Sequence, residues 1–62
     1  MLTEHRKRLL LDHLQNNGRI IAKEMSVQLK LSEDTIRRDL RELAADGKLL
    51  RVHGGALPFS PT

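Results

Sequence analysis

Leu31-Ser32-Glu33-Asp34-Thr35-Ile36-Arg37-Arg38-Asp39-Leu40 reads as a tight turn running straight into a capped helix. Ser32 is a strong N-cap residue, because its short hydroxyl can accept from a free N–H of the first turn. Glu33 and Asp34 then put negative charge at the positive end of the helix. Ile36 and Leu40, continued by Leu43 and Ala44, recur at steps of three and four and make a buried stripe. A helix is therefore predicted over Glu33 to Asp46, closed by Gly47. At about 100° per residue, the face opposite the stripe holds Asp34, Arg38, Arg41 and Glu42, with Thr35 and Arg37 on its flanks.

Upstream, Ala22, Met25 and Leu29 share one face, which predicts a short helix over Ala22 to Leu29. Lys30, Leu31 and Ser32 are the turn between the two helices. Further back, Thr3 reads as the N-cap of a first helix, with Glu4 in its first turn. Leu10, Leu11 and Leu14 form its apolar face, and Asn16, Asn17 and Gly18 stop it, Gly18 in a left-handed conformation. Arg19 to Ile21 is short and β-branched, and suits a brief strand or an extended connector.

Downstream of Gly47 the period changes from helical to strand-like. Leu49 to His53 read as one strand, Gly54-Gly55 as the turn, and Ala56 and Leu57 as the start of the returning strand. Pro58 and Pro61 punctuate a tail without pattern. Two short helices joined by a three-residue turn are a helix-turn-helix, and a following hairpin makes a wing. The fold class is mainly α: a winged helix-turn-helix, three helices followed by a small β-hairpin wing. Residues 1–57 are read as the DNA-binding domain. Residues 58–62 are read as a tail that follows it.

With 62 residues there is room for one small, marginally stable domain. Its core must come from Leu and Ile, with the single aromatic residue, Phe59, near the end. The absence of cysteine excludes disulfides and thiolate metal sites. His5, His13 and His53 show no metal-ligand spacing, and no cofactor is expected. Neither a nucleophile–base pairing nor a phosphate-loop glycine pattern is visible, so no enzyme is read here. No apolar run approaches the ~20 residues of a membrane span, and no signal-peptide pattern opens the chain. A soluble, cytoplasmic protein with no membrane partner is expected. The net charge of +3 is a mild bias, so the placement of charge says more than its sum.

That placement is informative. Arg37, Arg38 and Arg41 stand within five positions on the solvent side of the second helix of the pair. A guanidinium can clamp guanine O6 and N7, or a phosphate, with two hydrogen bonds. Recognition helices read bases from their N-terminal residues, here Ser32, Asp34, Thr35, Arg37 and Arg38. Ser32 and Thr35 add hydroxyl donors beside a helix N-terminus that itself attracts phosphate. The competing reading is a solvated face that pairs with itself, Asp34 with Arg37 and Arg38, and Arg38 with Glu42. Lys23 opens the helix that crosses the DNA backbone in this motif, which suits a phosphate contact. Arg51 and His53 flank the Gly-Gly turn, and Gly54 there allows close approach to phosphate or the minor groove. The glycines also serve any tight hairpin, whatever its partner. Arg6, Lys7 and Arg8 fit either simple solubility or a phosphate clamp.

The stretch Leu31 to Leu40 resembles the signature of the DeoR family of bacterial transcriptional regulators. So does the run Leu50-Arg51-Val52-His53-Gly54-Gly55-Ala56, and the similarity extends from about Arg6 to Ala56. This resemblance implies an N-terminal winged helix-turn-helix that binds double-stranded DNA. It implies mostly repressors of sugar and nucleoside catabolism genes, with a phosphorylated-sugar effector and oligomerisation both belonging to a separate C-terminal effector domain that the chain lacks, residues 58–62 being the start of the linker to it. The isolated domain is expected to be a monomer. Ser32, Thr35, Arg37 and Arg38 inherit the DNA-contact role, and Arg51, His53 and Gly54 the wing role. Ser26 and Lys30 stand where Ala and Gly are expected, and His13 where an apolar residue is. A positive φ at Lys30 would cost on the order of 1 kcal/mol. The alternative function is a winged-helix module whose arginine face binds an acidic protein partner.

Overall fold

The computed structural model describes residues 2–59, in six elements. These are α1 (Thr3–Asn17), β1 (Ile20–Ile21), α2 (Ala22–Leu29), α3 (Glu33–Ala45), β2 (Leu49–Val52) and β3 (Gly55–Pro58). The winged helix-turn-helix class holds, with α2 and α3 as the helix pair and β2–β3 as the wing.

Local chemistry explains most of the boundaries. Ser32 caps α3, its Oγ accepting from the Thr35 N–H at 3.2 Å. At the other end of α3, Lys48 N–H bonds Leu43 C=O and Gly47 N–H bonds Ala44 C=O, both at 3.0 Å. That is a Schellman closure, with Gly47 left-handed at φ 74°. It ends α3 at Ala45, one residue short of the predicted Asp46. The same closure ends α2, where Leu31 N–H bonds Ser26 C=O at 2.9 Å and Lys30 N–H bonds Val27 C=O at 3.3 Å. Here the left-handed residue is Lys30, at φ 56°. The turn therefore keeps its geometry with a lysine in a glycine's place. Ser26 causes no disruption either, because its hydroxyl donates back to Lys23 C=O at 2.7 Å.

One cap lies elsewhere than predicted. The cap of α1 is Leu2, not Thr3, because Leu2 C=O already accepts the first helical bond, from Arg6 N–H at 2.9 Å. No side-chain oxygen caps that end.

The core is a single cluster. Leu10 and Leu14 of α1, Ile20, Ala22, Met25, the α3 stripe of Ile36, Leu40 and Leu43, Leu49 and Ala56 are all buried. Each large member contributes roughly 1.5–3 kcal/mol by leaving water. Leu11, Leu29, Leu31 and Ala44 pack against its edge. Phe59 is not part of it, being half exposed.

The sheet differs most from expectation. Its order is β1-β3-β2, all antiparallel, so the last strand lies in the middle. Ile20 pairs with Ala56 and Ile21 with Gly55. The residues after α1 are thus a sheet strand and not a free connector. The wing turn is His53-Gly54, because Val52 pairs directly with Gly55. Only Gly54 needs the left-handed region, at φ 81°. Gly55 serves another purpose, since a Cβ there would lie 1.8 Å from the Ile20 carbonyl oxygen. Strand β1 can approach β3 only because that Cβ is missing. The turn is also tied down, Ala22 N–H donating to Gly54 C=O at 2.8 Å. Pro58, read from sequence as linker, is the last residue of β3 and pairs with Leu49. Pro61 lies outside the described residues.

Candidate nucleic-acid interface

The α3 stripe turns Ile36, Leu40 and Leu43 inward, which leaves Asp34, Arg37, Arg38 and Arg41 on the outside, all exposed. Ser32 is exposed and Thr35 half-buried at the start of the same helix. Their hydroxyls lie 2.9 Å apart. Two hydroxyls carry two O–H donors, and their mutual bond uses one. The other remains for an anion at the helix N-terminus.

The fate of each arginine on α3 follows from the carboxylates around it. Arg37 is engaged, with Glu33 at 3.1 Å and Asp34 at 3.6 Å. Lys7 of α1 takes Glu42 at 2.6 Å. Asp39, on the inner side, is bound by Arg6 of α1. The self-paired reading placed Arg38 against Asp34 and Glu42, and neither pair forms. All four carboxylates of α3 have other partners, so Arg38 and Arg41 make no ion pair among the described residues. Exposed pairs such as Arg37–Asp34 are worth little and exchange readily for a phosphate or base.

Strand β2 brings the wing to α3. Arg37, Leu40, Arg51, Val52, Gly54 and Gly55 line one narrow cleft between them. Arg51 therefore lies on the same side as the α3 arginines, although they are far apart in sequence. This follows from register: Arg51 pairs with the buried Ala56, so its side chain leaves the sheet on the α3 side. His53 and Gly54 form the exposed turn at the wing tip. Lys23 is exposed too, but it sits in a shallow depression lined by α2 alone, with Glu24, Val27 and Gln28. The fold thus joins Arg37, Arg51 and Gly54 and places Lys23 apart from that cleft.

The sequence reading missed the ties from α1 to α3. Arg6 Nε donates to Asp39 Oδ2, and Arg6 Nη2 donates to Asp39 Oδ1 at 2.9 Å. The hydrogen bond to Asp39 raises the Arg6 pKa above its usual value, and the bond to Glu42 does the same for Lys7. Both cations stay charged at every working pH. A signal was available: Asp39 falls on the Ile36–Leu40–Leu43 stripe, and Arg6 stands four residues before Leu10 and eight before Leu14. A charge inside a buried stripe requires an opposite charge from another element.

Residues 6–62 match the DeoR-like helix-turn-helix domain. The chain belongs to the DeoR family. An L-fucose operon activator of Escherichia coli (strain K12) is 47% identical over 51 residues, which is 82% of this chain and 21% of that protein. A lactose phosphotransferase system repressor of Lactococcus lactis subsp. lactis is 46% identical over 56 residues, 90% of this chain and 22% of that protein. The HTH-type transcriptional repressor GlcR of Bacillus subtilis (strain 168) is 37% identical over 57 residues, 92% of this chain and 22% of that protein. The DeoR-like chain thus spans about a fifth of the length of the curated relatives it matches. No solved structure matches it. These relatives are named as an operon activator and as repressors, and what this chain shares with the family is the DeoR-like helix-turn-helix domain. Among the described residues no helix is long and apolar enough to cross a membrane.

Proposed function

We propose that α3 lies in the major groove of duplex DNA, where Arg38 and Arg41 reach base edges or phosphates and Arg37 joins them by leaving its exposed carboxylates. The wing, through Arg51, His53 and Gly54, grips the backbone or minor groove beside it. Ser32 and Thr35 hold a phosphate at the α3 N-terminus, and Lys23 meets one where α2 crosses the backbone. Asp34, almost fully exposed, lies at the same end and can accept from a cytosine amino group. The observation that carries this reading is the pairing pattern on α3. Every carboxylate is held by Arg6, Lys7 or Arg37, which frees Arg38 and Arg41 on the outer face.

The regulated genes are a carbohydrate operon, a reading supported by the names of the fucose and lactose relatives. Those names include both an activator and a repressor, so the repressor expectation rests on the resemblance alone. So do the phosphorylated-sugar effector and the oligomeric full-length protein.

The test is an anisotropy titration of a labelled random duplex at several salt concentrations. The expected log-log slope is about −0.9 per phosphate neutralised. A duplex selected by the chain from a random library should then bind Arg38→Ala more weakly by roughly 1–3 kcal/mol, with little change on random DNA. Equal loss on both duplexes removes the base-reading role from Arg38. Failure to bind any duplex at low salt favours an acidic protein partner for the arginine face.

A further inference from the structure

Asp39 is the only charged side chain buried among the described residues, at 1% exposure. It sits directly after Arg38 and two residues before Arg41. Arg6 grips both its oxygens through a two-bond fork, and Arg6 is itself largely covered, at 13% exposure. One turn further along α3, Glu42 takes Lys7 at 2.6 Å. Two neighbouring residues of α1 therefore hold two carboxylates one turn apart on α3.

This arrangement is a poor choice for stability alone. A well-packed apolar pair often serves as well as a buried ion pair, or better. What the fork adds is direction. Apolar side chains tolerate a helix turning about its axis, whereas a bidentate guanidinium–carboxylate pair has one favourable plane. The fork sets the rotation of α3, and the single Lys7–Glu42 contact one turn further along adds a second point of attachment. The sensitivity is high, since a rotation of about 20° moves side-chain tips on a helix of ~5–6 Å radius by roughly 2 Å. That exceeds what a two-bond contact to a guanine edge tolerates.

We infer that the Arg6–Asp39 pair, seconded by Lys7–Glu42, sets the rotation of α3 and so aims Arg38 and Arg41. Arg6 and Asp39 are positioning residues that touch no DNA. This rests on the DNA reading of α3 proposed above. It also commits Arg6, one of the basic residues of α1, to a buried carboxylate, so Arg6 adds nothing to the salt dependence of binding.

The test compares the parent chain, the double variant Arg6→Met/Asp39→Leu, and Arg6→Lys. The double variant removes one charge of each sign and keeps the net charge at +3. Each protein is checked by thermal melting. Each is then titrated against a random duplex and against a duplex that the parent selects from a random library. The double variant is expected to fold and to match the parent on random DNA, in affinity within about twofold and in salt slope. Its preference for the selected duplex should fall at least about tenfold, the worth of one misaligned bidentate base contact. Arg6→Lys keeps the charge but loses the fork, so it should lose part of that preference. Full discrimination by a folded double variant overturns the inference, and so does equal loss on both duplexes. If the double variant does not fold, undiminished discrimination by Arg6→Lys overturns it and a reduced preference supports it. A parent that binds no duplex removes the DNA reading, and the inference with it.

Discussion

Replacing Gly55 by alanine should damage the fold more than the same change at Gly18, Gly47 or Gly54. The added Cβ would lie 1.8 Å from the Ile20 carbonyl oxygen, 2.8 Å from its carbonyl carbon and 3.2 Å from the Ile21 Cα. All three are backbone atoms, so no side chain can swing aside. A relaxed carbon–oxygen contact needs roughly 3.3 Å, so β1 must retreat by about 1.5 Å. That stretches a ladder bond from about 2.9 Å to about 4.4 Å, beyond any hydrogen bond. The pairs Ile20–Ala56 and Ile21–Gly55 then open, and Ile20 loosens its hold on the core. Two buried backbone groups left without partners cost about 1–3 kcal/mol each, near 3 kcal/mol together. A 62-residue chain has only about 3–9 kcal/mol to lose. The melting temperature followed by circular dichroism should fall by roughly 12–24 °C, or the transition should vanish. Gly54→Ala is the control, because its Cβ meets nothing within 4 Å and only its φ of 81° is unfavourable. It should cost about 1–2 kcal/mol. If Gly55→Ala melts within a few degrees of the parent, or no lower than Gly54→Ala, the close-approach argument is wrong.

Lys30→Gly should raise stability by roughly 0.5–1 kcal/mol, because glycine relieves the left-handed strain at φ 56° while losing some chain entropy; a melt no higher than the parent's would show that the lysine is not strained. Ser32→Ala should lower stability by about 1 kcal/mol through loss of the α3 cap, measured by urea unfolding, and Ser32→Asp should restore it. Arg51→Ala should weaken binding uniformly across duplex sequences and make the salt slope shallower by about 0.9, as one phosphate contact is lost. A selective loss on one sequence would instead make Arg51 a base reader.

The residues by themselves determined most of what depends on neighbours a few positions apart. The span of α2, the Ser32 cap and the left-handed stops at Gly18 and Gly47 were legible because each rests on hydrogen bonds between residues three to five apart. The outward face of Arg37, Arg38 and Arg41 was legible for the same reason, since helical spacing fixes which side faces water. Where the reading slipped by one residue, at Thr3, Asp46 and the His53-Gly54 turn, the competing local choices were nearly equal in chemistry. Only the tertiary structure decided the rest. Nothing near Gly55 announces that Ile20 will pass within contact of it, and the place of Asp39 on the buried stripe calls for a cation without saying that it is Arg6, 33 residues away. Nor does the sequence say which carboxylates will leave Arg38 and Arg41 free. Those outcomes follow from packing three helices and three strands around one core, where a charge on a buried stripe must find its opposite on another element and a strand can close only where a side chain is missing.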